Sequence, residues 1–360
     1  MNKSTTRSKF IDCLKAIAII LVVVGHAMQF GSGMHCYIYS DFFENVIFKI
    51  IYSFHMPLFM LISGYLFYGS VMRNTMADNI RSRFTTLLIP IMLWSIIPYV
   101  IRLVQGDERG VWLVVRAYFT TCIGNFWFLW AVFYCSLIVL AVRHCVGDRM
   151  FVYVLLAVVM LFTPDFNRLQ LYKFMYGYFV VGYMLGKHNF IEKITCTKKK
   201  FCCIAAGLII AYICLMFLFD RNGYIYTSGY TLLRDDVLRQ LGIDIFRFAT
   251  GLVGCAVVFM LAVLVRRVSR KIGAGNNKSA ANMVQKTIDI LSYIGRNTLG
   301  IYIVSTLIFS YIVKPLVWKI NGINYFLVVL EAVVVLAASL GITGQVRKIP
   351  VLGRLLLGRR

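Results

Sequence analysis

Residues 10–30, FIDCLKAIAIILVVVGHAMQF, decide what kind of molecule this is. The run is almost wholly apolar, and about 20 such residues at ~1.5 Å each cover ~30 Å of hydrocarbon. Basic residues precede it, as in a secretory signal. The run is long, however, and lacks a small-residue cleavage site, so it reads as an uncleaved first span. Blocks of the same kind recur at 46–68, 84–104, 125–142, 150–163, 171–186, 201–219, 243–265, 291–313 and 323–343. Lipid offers no outside partner for backbone polar groups, so each block should be a helix. The expected fold is an all-α, polytopic transmembrane bundle of about ten helices with both termini cytoplasmic. Residues 1–343 form the membrane-embedded domain and 344–360 a basic cytoplasmic tail. The blocks 150–163 and 171–186 are short, and tilt or re-entry stays open for them. The breaks near 220–242 and 266–290 read as loops.

Composition agrees. The 360-residue chain is 60% hydrophobic and 15% charged, whereas soluble domains carry roughly 25% charged residues. A net charge of +23 raises the question of nucleic acid, and its distribution answers it. With the N-terminus inside and faces alternating, 24 basic residues fall in the inner segments and eight in the outer loops. That is the positive-inside pattern, so the charge reports topology and implies no nucleic-acid partner. The ten cysteines show no C-x-x-C pair and no metal-ligand spacing, and no metal site is expected. Most lie inside spans, where cysteine packs as a small hydrophobe. Cys36 and Cys122 both fall in outer loops, and a bridge between them stays open. Adjacent Cys202 and Cys203 read as packing.

Ionisable groups inside a span cost a few kcal/mol on insertion scales and therefore point to function. The first span carries Asp12, Lys15 and His26. Lys15 and His26 lie within ~20° of each other around the axis and ~16 Å apart along it, and Asp12 is within ~60° of Lys15. One stripe thus runs from an acid–base pair near the cytoplasm to a histidine in the outer half, and should face the protein interior. Asp12 and Lys15 can also be read as interfacial residues that snorkel. His26 stands between Gly25 and Ala27, which leave room for a ligand or another helix to approach.

The second span contains FHMPLFMLISGYLF, residues 54–67. His55 lies roughly 13 Å in from the outer face, at a depth comparable with His26. The two histidines can meet near mid-membrane, or His55 can simply hydrogen-bond a neighbouring helix. Pro57 withdraws a backbone donor beside it, and Ser63-Gly64 suits close helix contact. Arg81-Ser82-Arg83 precedes the third span on the inner side. The pair matches a ligand with several phosphates, or anchors the helix at the interface. Trp127 and Trp130, in NFWFLWAVF (125–133), belong to an interfacial belt or stack on a sugar face. Asp244 and Arg247, three apart, read as a structural ion pair. Arg296 sits at the inner start of the ninth span, as an anchor or against a cytoplasmic ligand. Glu331 is a buried acid with no assigned partner.

These segments resemble the acyltransferase family 3 integral membrane proteins, in particular the fucose 4-O-acetylase-like group. The carriers are IDCLKAIAIILVVVGHA, FHMPLFMLISGYLF, Arg81-x-Arg83, NFWFLWAVF and LSYIGRNTLGIYIV, in the family's order and across nearly the whole chain. The resemblance implies essential roles for Lys15 and His26. Arginine is commoner at the first position, so Lys15 departs from the family and weakens bidentate anion binding there. Many members carry histidine where this chain has Ser305, which therefore receives no catalytic role. Some relatives add an SGNH-type hydrolase domain after the last span; here only residues 344–360 follow, so the chemistry is expected within the bundle.

The resemblance implies an O-acyltransferase, and most simply an O-acetyltransferase, in a bacterial plasma membrane. It would take cytoplasmic acyl-CoA, most simply acetyl-CoA, as a donor substrate with no bound cofactor, and a carbohydrate acceptor on the outer side. Arg81, Arg83 and Arg296 are then the acyl-CoA ligands, and Lys15 guides the pantetheine or a phosphate. His26 is general base or transient acyl carrier, Asp12 fixes Lys15, His55 assists His26, and Trp127 and Trp130 meet the sugar. A multi-pass transporter or flippase of a polysaccharide precursor is the rival from another class. It gives no reason to pair inner-face arginines with an intramembrane histidine. The MBOAT class of membrane acyltransferases places its key histidine in a late span, and here the last histidine is His188.

Overall fold

The computed structural model describes residues 8–32, 40–106, 110–190, 198–273, 278–317 and 323–358. All ten apolar blocks are essentially helical, and the described residues contain no strand. Eight helical stretches are long and apolar enough to cross a membrane, so the chain is a polytopic helical bundle. The helices that position the site are α1 (Lys9–His26), α2 (Val46–Val71), α3 (Met76–Arg83), α4 (Ile89–Trp94), α5 (Ile96–Val104), α6 (Val111–Gly124), α7 (Trp127–Val146), α8 (Met150–Leu161) and α9 (Leu169–Lys187). They are followed by α10 (Lys198–Leu218), α11 (Val237–Gly273), α12 (Lys278–Arg296), α13 (Thr298–Ile308), α14 (Tyr325–Lys348) and α15 (Pro350–Leu357).

α1 is the hub. It touches α2, α11, α12, α13 and α14, and Ala16, Ala18 and Ile19 are fully buried. Gly295 of α12 packs against the backbone of Asp12, where a side chain would collide. Lys9 Nζ bonds Asp289 Oδ1 at 2.6 Å on the exposed side of that contact. Hydrogen bonds from Gln285 and from Lys9 hold the Asp289 carboxyl below the usual carboxylate range. By contrast α10 leans on α11 at the periphery, with most of its surface turned outward.

The closest helix pair is α2 with α9. Gly182 and Gly186 form a small-xxx-small step, and Gly64 answers from the other helix. A Cβ at Gly182 would strike the Leu61 carbonyl, and one at Gly64 would strike the Phe179 carbonyl. Between helices in lipid the driving force is close packing rather than the hydrophobic effect, so these three glycines set the contact. α2 continues through Pro57.

Two short helices depart from a simple up-and-down bundle. α8, with 12 residues, rises only ~18 Å, less than the hydrocarbon thickness. α6 was not expected from the sequence, because Arg116, Thr120 and Thr121 interrupt its apolar run. It folds back antiparallel to α4 and α5: the Tyr118 hydroxyl donates to the Met92 carbonyl at 2.9 Å, and that of Tyr99 to the Val114 carbonyl at 3.1 Å. Residues 344–360, read above as a tail, are helical through Leu357. The Trp94 indole N–H donates to the Leu356 carbonyl at 3.0 Å. Gly358, at φ 58°, then lies against the backbone of Thr86. The bridge considered between Cys36 and Cys122 lies outside the described residues.

Gly182→Val should force α2 and α9 apart. Size-exclusion of detergent-solubilised protein should show a large loss of monodisperse material relative to Gly207→Val, whose added side chain meets nothing within 4 Å.

Candidate functional site

The stripe on α1 faces inward. Lys15 Nζ lies 3.3 Å from Asp12 Oδ1, with side chains 17% and 4% exposed. One turn apart on a helix, the pair brings its own counter-charge into the low-dielectric interior. Lys15, Ile19 and Val22 line one wall of a cavity of about 240 Å³ between α1, α2, α7 and α13. Arg83 and Thr86 line it from the end of α3 and the turn after it, and Gly358 lines it from the C-terminal segment. The Arg83 guanidinium lies 4.5 Å over the Phe67 ring, a cation–π contact that fixes its direction. The third α-helical block begins with a π-wound turn, Phe84–Leu88, directly after Arg83. Such turns are frequent at functional sites.

A second π-wound turn, Ala27–Gly31, follows His26 directly. A third, Phe309–Val313, packs against it. His26 is partly buried, with its ring 5.8 Å from Phe30 and 6.1 Å from Phe309. Its Nδ1 is sealed and makes no hydrogen bond among the described residues. The space beside Gly25 is filled by Tyr52 of α2, whose hydroxyl bonds Gln29 Oε1 at 2.8 Å. Tyr52 in turn packs edge-on to His55, at 4.9 Å. His55 is buried and bonds the Ile51 carbonyl through Nδ1 at 2.7 Å. Tyr52 is therefore the side chain that links the two histidine positions, packed against both Gly25 and His55.

The cavity ends at Val22 and Met56, one turn from His26 and one residue from His55. It thus unites Lys15 and Arg83 and leads toward the histidines without including them. Arg81 is exposed and does not line it. Arg296 lines a neighbouring cavity of about 150 Å³ with Arg347, and Leu299 is common to both. Arg347 donates to the Arg296 carbonyl at 3.0 Å. Neither tryptophan lines the larger cavity; Phe128 and Leu129, between them, do. The Trp130 N–H is committed to the Cys122 carbonyl at 2.9 Å, and its ring stacks on Tyr134. Asp244 and Arg247 form the expected buried ion pair, and Gln240 joins it.

Several residues were not legible as site residues. Ser63, Thr298 and Tyr302 line the inner cavity; Thr86, one turn after Arg83 on the same face, carried a readable signal. Glu331 now has a place: its carboxylate rests on Gly31, one π-turn beyond His26, and its buried Oε2 has no hydrogen-bond partner among the described residues. Asp148 is also a hub that no spacing announced. Arg143, Lys187, Tyr153 and Tyr183 converge on it, tying the inner ends of α7, α8 and α9 together.

Fold and site together define a multi-pass helical membrane protein with a cationic chamber leading toward two histidines. The family model described as an acyltransferase domain matches residues 8–344. The chain belongs to that family, acyltransferase family 3, and its class is membrane acyltransferase. The nodulation protein NolL of Mesorhizobium japonicum is 24% identical over 261 residues, covering 71% of this chain and 67% of that protein. NolL of Sinorhizobium fredii (strain NBRC 101917 / NGR234) is 30% identical over 222 residues, covering 60% and 59%. The chain thus matches about two-thirds or less of the length of these relatives. No solved structure matches significantly.

Asp12→Ala should leave the Lys15 ammonium without this carboxylate and cost roughly 3 kcal/mol, the scale for breaking a buried pair. The apparent Tm in detergent should fall, and adding Lys15→Met should recover much of the loss. Without that recovery, the pair is not what stabilises this end of α1.

Proposed function

We propose that the protein is a membrane-embedded O-acyltransferase, most simply an O-acetyltransferase of a bacterial cytoplasmic membrane. It would move an acyl group from cytoplasmic acyl-CoA to a carbohydrate hydroxyl on the far side. One observation carries this reading: Lys15, Ile19 and Val22 line the chamber entered past Arg83, and His26 continues the same helical face one turn beyond. CoA phosphates match Arg83, with Arg296 and Arg347 in the adjoining cavity. The narrow pantetheine arm then runs past Lys15 along the apolar stripe, delivering the thioester toward His26.

Two chemical routes fit. In the first, His26 takes the proton of the acceptor hydroxyl as its oxygen attacks the thioester carbonyl, and CoA leaves as thiolate and collects a proton. In the second, His26 attacks first, CoA leaves, and the acyl-imidazole is then opened by the acceptor hydroxyl. Glu331 lies against Gly31, in the π-wound turn that follows His26. His55 and Tyr52 hold the ring's neighbourhood rather than the reacting atoms. Arg81 sits outside the chamber and is expected to contribute only to the surface potential at its mouth.

Purified protein in nanodiscs, given radiolabelled acetyl-CoA and surface glycans from cells lacking the gene, tests this. His26→Ala should abolish transfer with an unchanged elution profile. Arg83→Ala should raise KM for acetyl-CoA at least ~10-fold, the scale of ~1.5 kcal/mol or more for a charged hydrogen bond, and Arg81→Ala should change it far less. Normal transfer by His26→Ala would remove the mechanism. Saccharide export without any consumption of acyl-CoA would instead favour a transporter.

A further inference from the structure

A second chamber, of about 430 Å³, lies between α7, α8 and α9, with Ile123 of α6 at its edge. Its end wall forms where α8 stops at Leu161 and residues 162–168 connect it to α9 as a loop. That loop is firmly held. Asp165 Oδ1 pairs with the buried Lys173 ammonium at 2.7 Å, and Asp165 Oδ2 accepts from the Tyr230 N–H at 2.7 Å. Lys173 also donates to the Thr163 carbonyl at 2.8 Å. Asn167 and Arg168 adopt left-handed conformations, at φ 44° and 68°. Two consecutive non-glycine residues in that region cost energy and persist only where their surroundings impose them.

The walls are of two kinds. Ile123, Ile138 and Met160 make one side apolar, and Thr163, Asn167 and Tyr172 supply hydrogen-bonding groups at the other. The Tyr172 hydroxyl is buried and has no partner among the described residues. Such a group in a cavity of ligand size awaits an outside hydrogen bond. At the rim, Ile123 and Phe166 are 50% and 59% exposed, so the apolar side is open to the surroundings of the bundle. Both chambers take a wall from α7: Tyr134, Cys135 and Ile138 line this one, and Phe128, Leu129 and Val132 line the Lys15–Arg83 chamber.

We propose that this outer chamber receives the sugar of a glycolipid acceptor, which enters sideways from the outer leaflet with its lipid tail along Ile123, Ile138 and Met160. The proposal rests on the acyl-transfer reading for its link to chemistry, but the site itself is a matter of binding. A free polysaccharide would meet an apolar wall with nothing to bury against it. An amphiphile satisfies both walls at once: hydroxyls reach Thr163, Asn167 and Tyr172, and the tail covers the opening.

The test uses the whole protein in nanodiscs and a dodecyl glucoside with a diazirine in its tail, followed by peptide mapping after illumination. Label should concentrate in peptides covering 123–138 and 160–176. Met160→Trp and Ile138→Trp should each reduce it several-fold while eluting normally, and His26→Ala should leave it unchanged. Label spread evenly over outward-facing helices such as α10, or unchanged in both tryptophan variants, would overturn the proposal. If the wild type transfers acetyl groups but the chamber stays unlabelled, this site fails alone. If the chamber is labelled and no transfer occurs, the acyl-transfer reading fails and a glycolipid site remains.

Discussion

The ammonium of Lys15, 3.3 Å from Asp12 and largely withdrawn from solvent, constrains everything around it. A charge in the hydrocarbon layer is tolerated only against protein, beside a counter-charge or an aqueous space. This forces one face of α1 into the interior and makes the first helix the centre of the bundle rather than its edge. Once that face is fixed, Ile19, Val22 and His26 follow from helical geometry alone. The chamber is the space other helices leave along that face. Its other polar side chains come from Ser63 of α2, from the end of α3 and the turn after it, and from α13.

Dielectric and packing act together here. Arg83 is held over Phe67, and Gly358 lies against Thr86 beside it in the chamber wall. Its outward end is governed by π-wound turns. Ala27–Gly31 and Phe309–Val313 pack on each other just beyond His26, and Glu331 rests on Gly31 between them and α14. An extra residue in a helical turn rotates the following side chains and frees backbone groups. Placing such turns after His26 and after Arg83 sets the direction of both ends of the proposed transfer path.

The fold was largely legible because its signals are local. Every apolar block became helical, and the Asp12–Lys15–His26 stripe faces inward as its spacing requires. Legibility failed where a contact joins distant residues or depends on winding. α6 lacks the length and the unbroken apolarity that marks a span, and only its hydrogen bonds to Met92 and Tyr99 explain why it folds back. Asp148 and Asp165 are isolated acids in sequence and become hubs only when helices assemble. Arg81 and Arg83 look alike as an R-x-R pair, yet 200° of helical rotation leaves one in the chamber and the other in solvent. Trp130 carried the composition of a sugar platform, but its N–H and one ring face are already committed inside the protein.

In the proposed reaction donor and acceptor meet across the membrane, the donor entering from the face that carries Arg83. Sealed proteoliposomes of known orientation, supplied with acetyl-CoA on one side and a glycolipid acceptor in the bilayer, test it most directly. CoA should be released only when acetyl-CoA is added to the Arg83 face, with acetylated sugar forming on the opposite one. Equal consumption from either face, or consumption only from the opposite face, would contradict it.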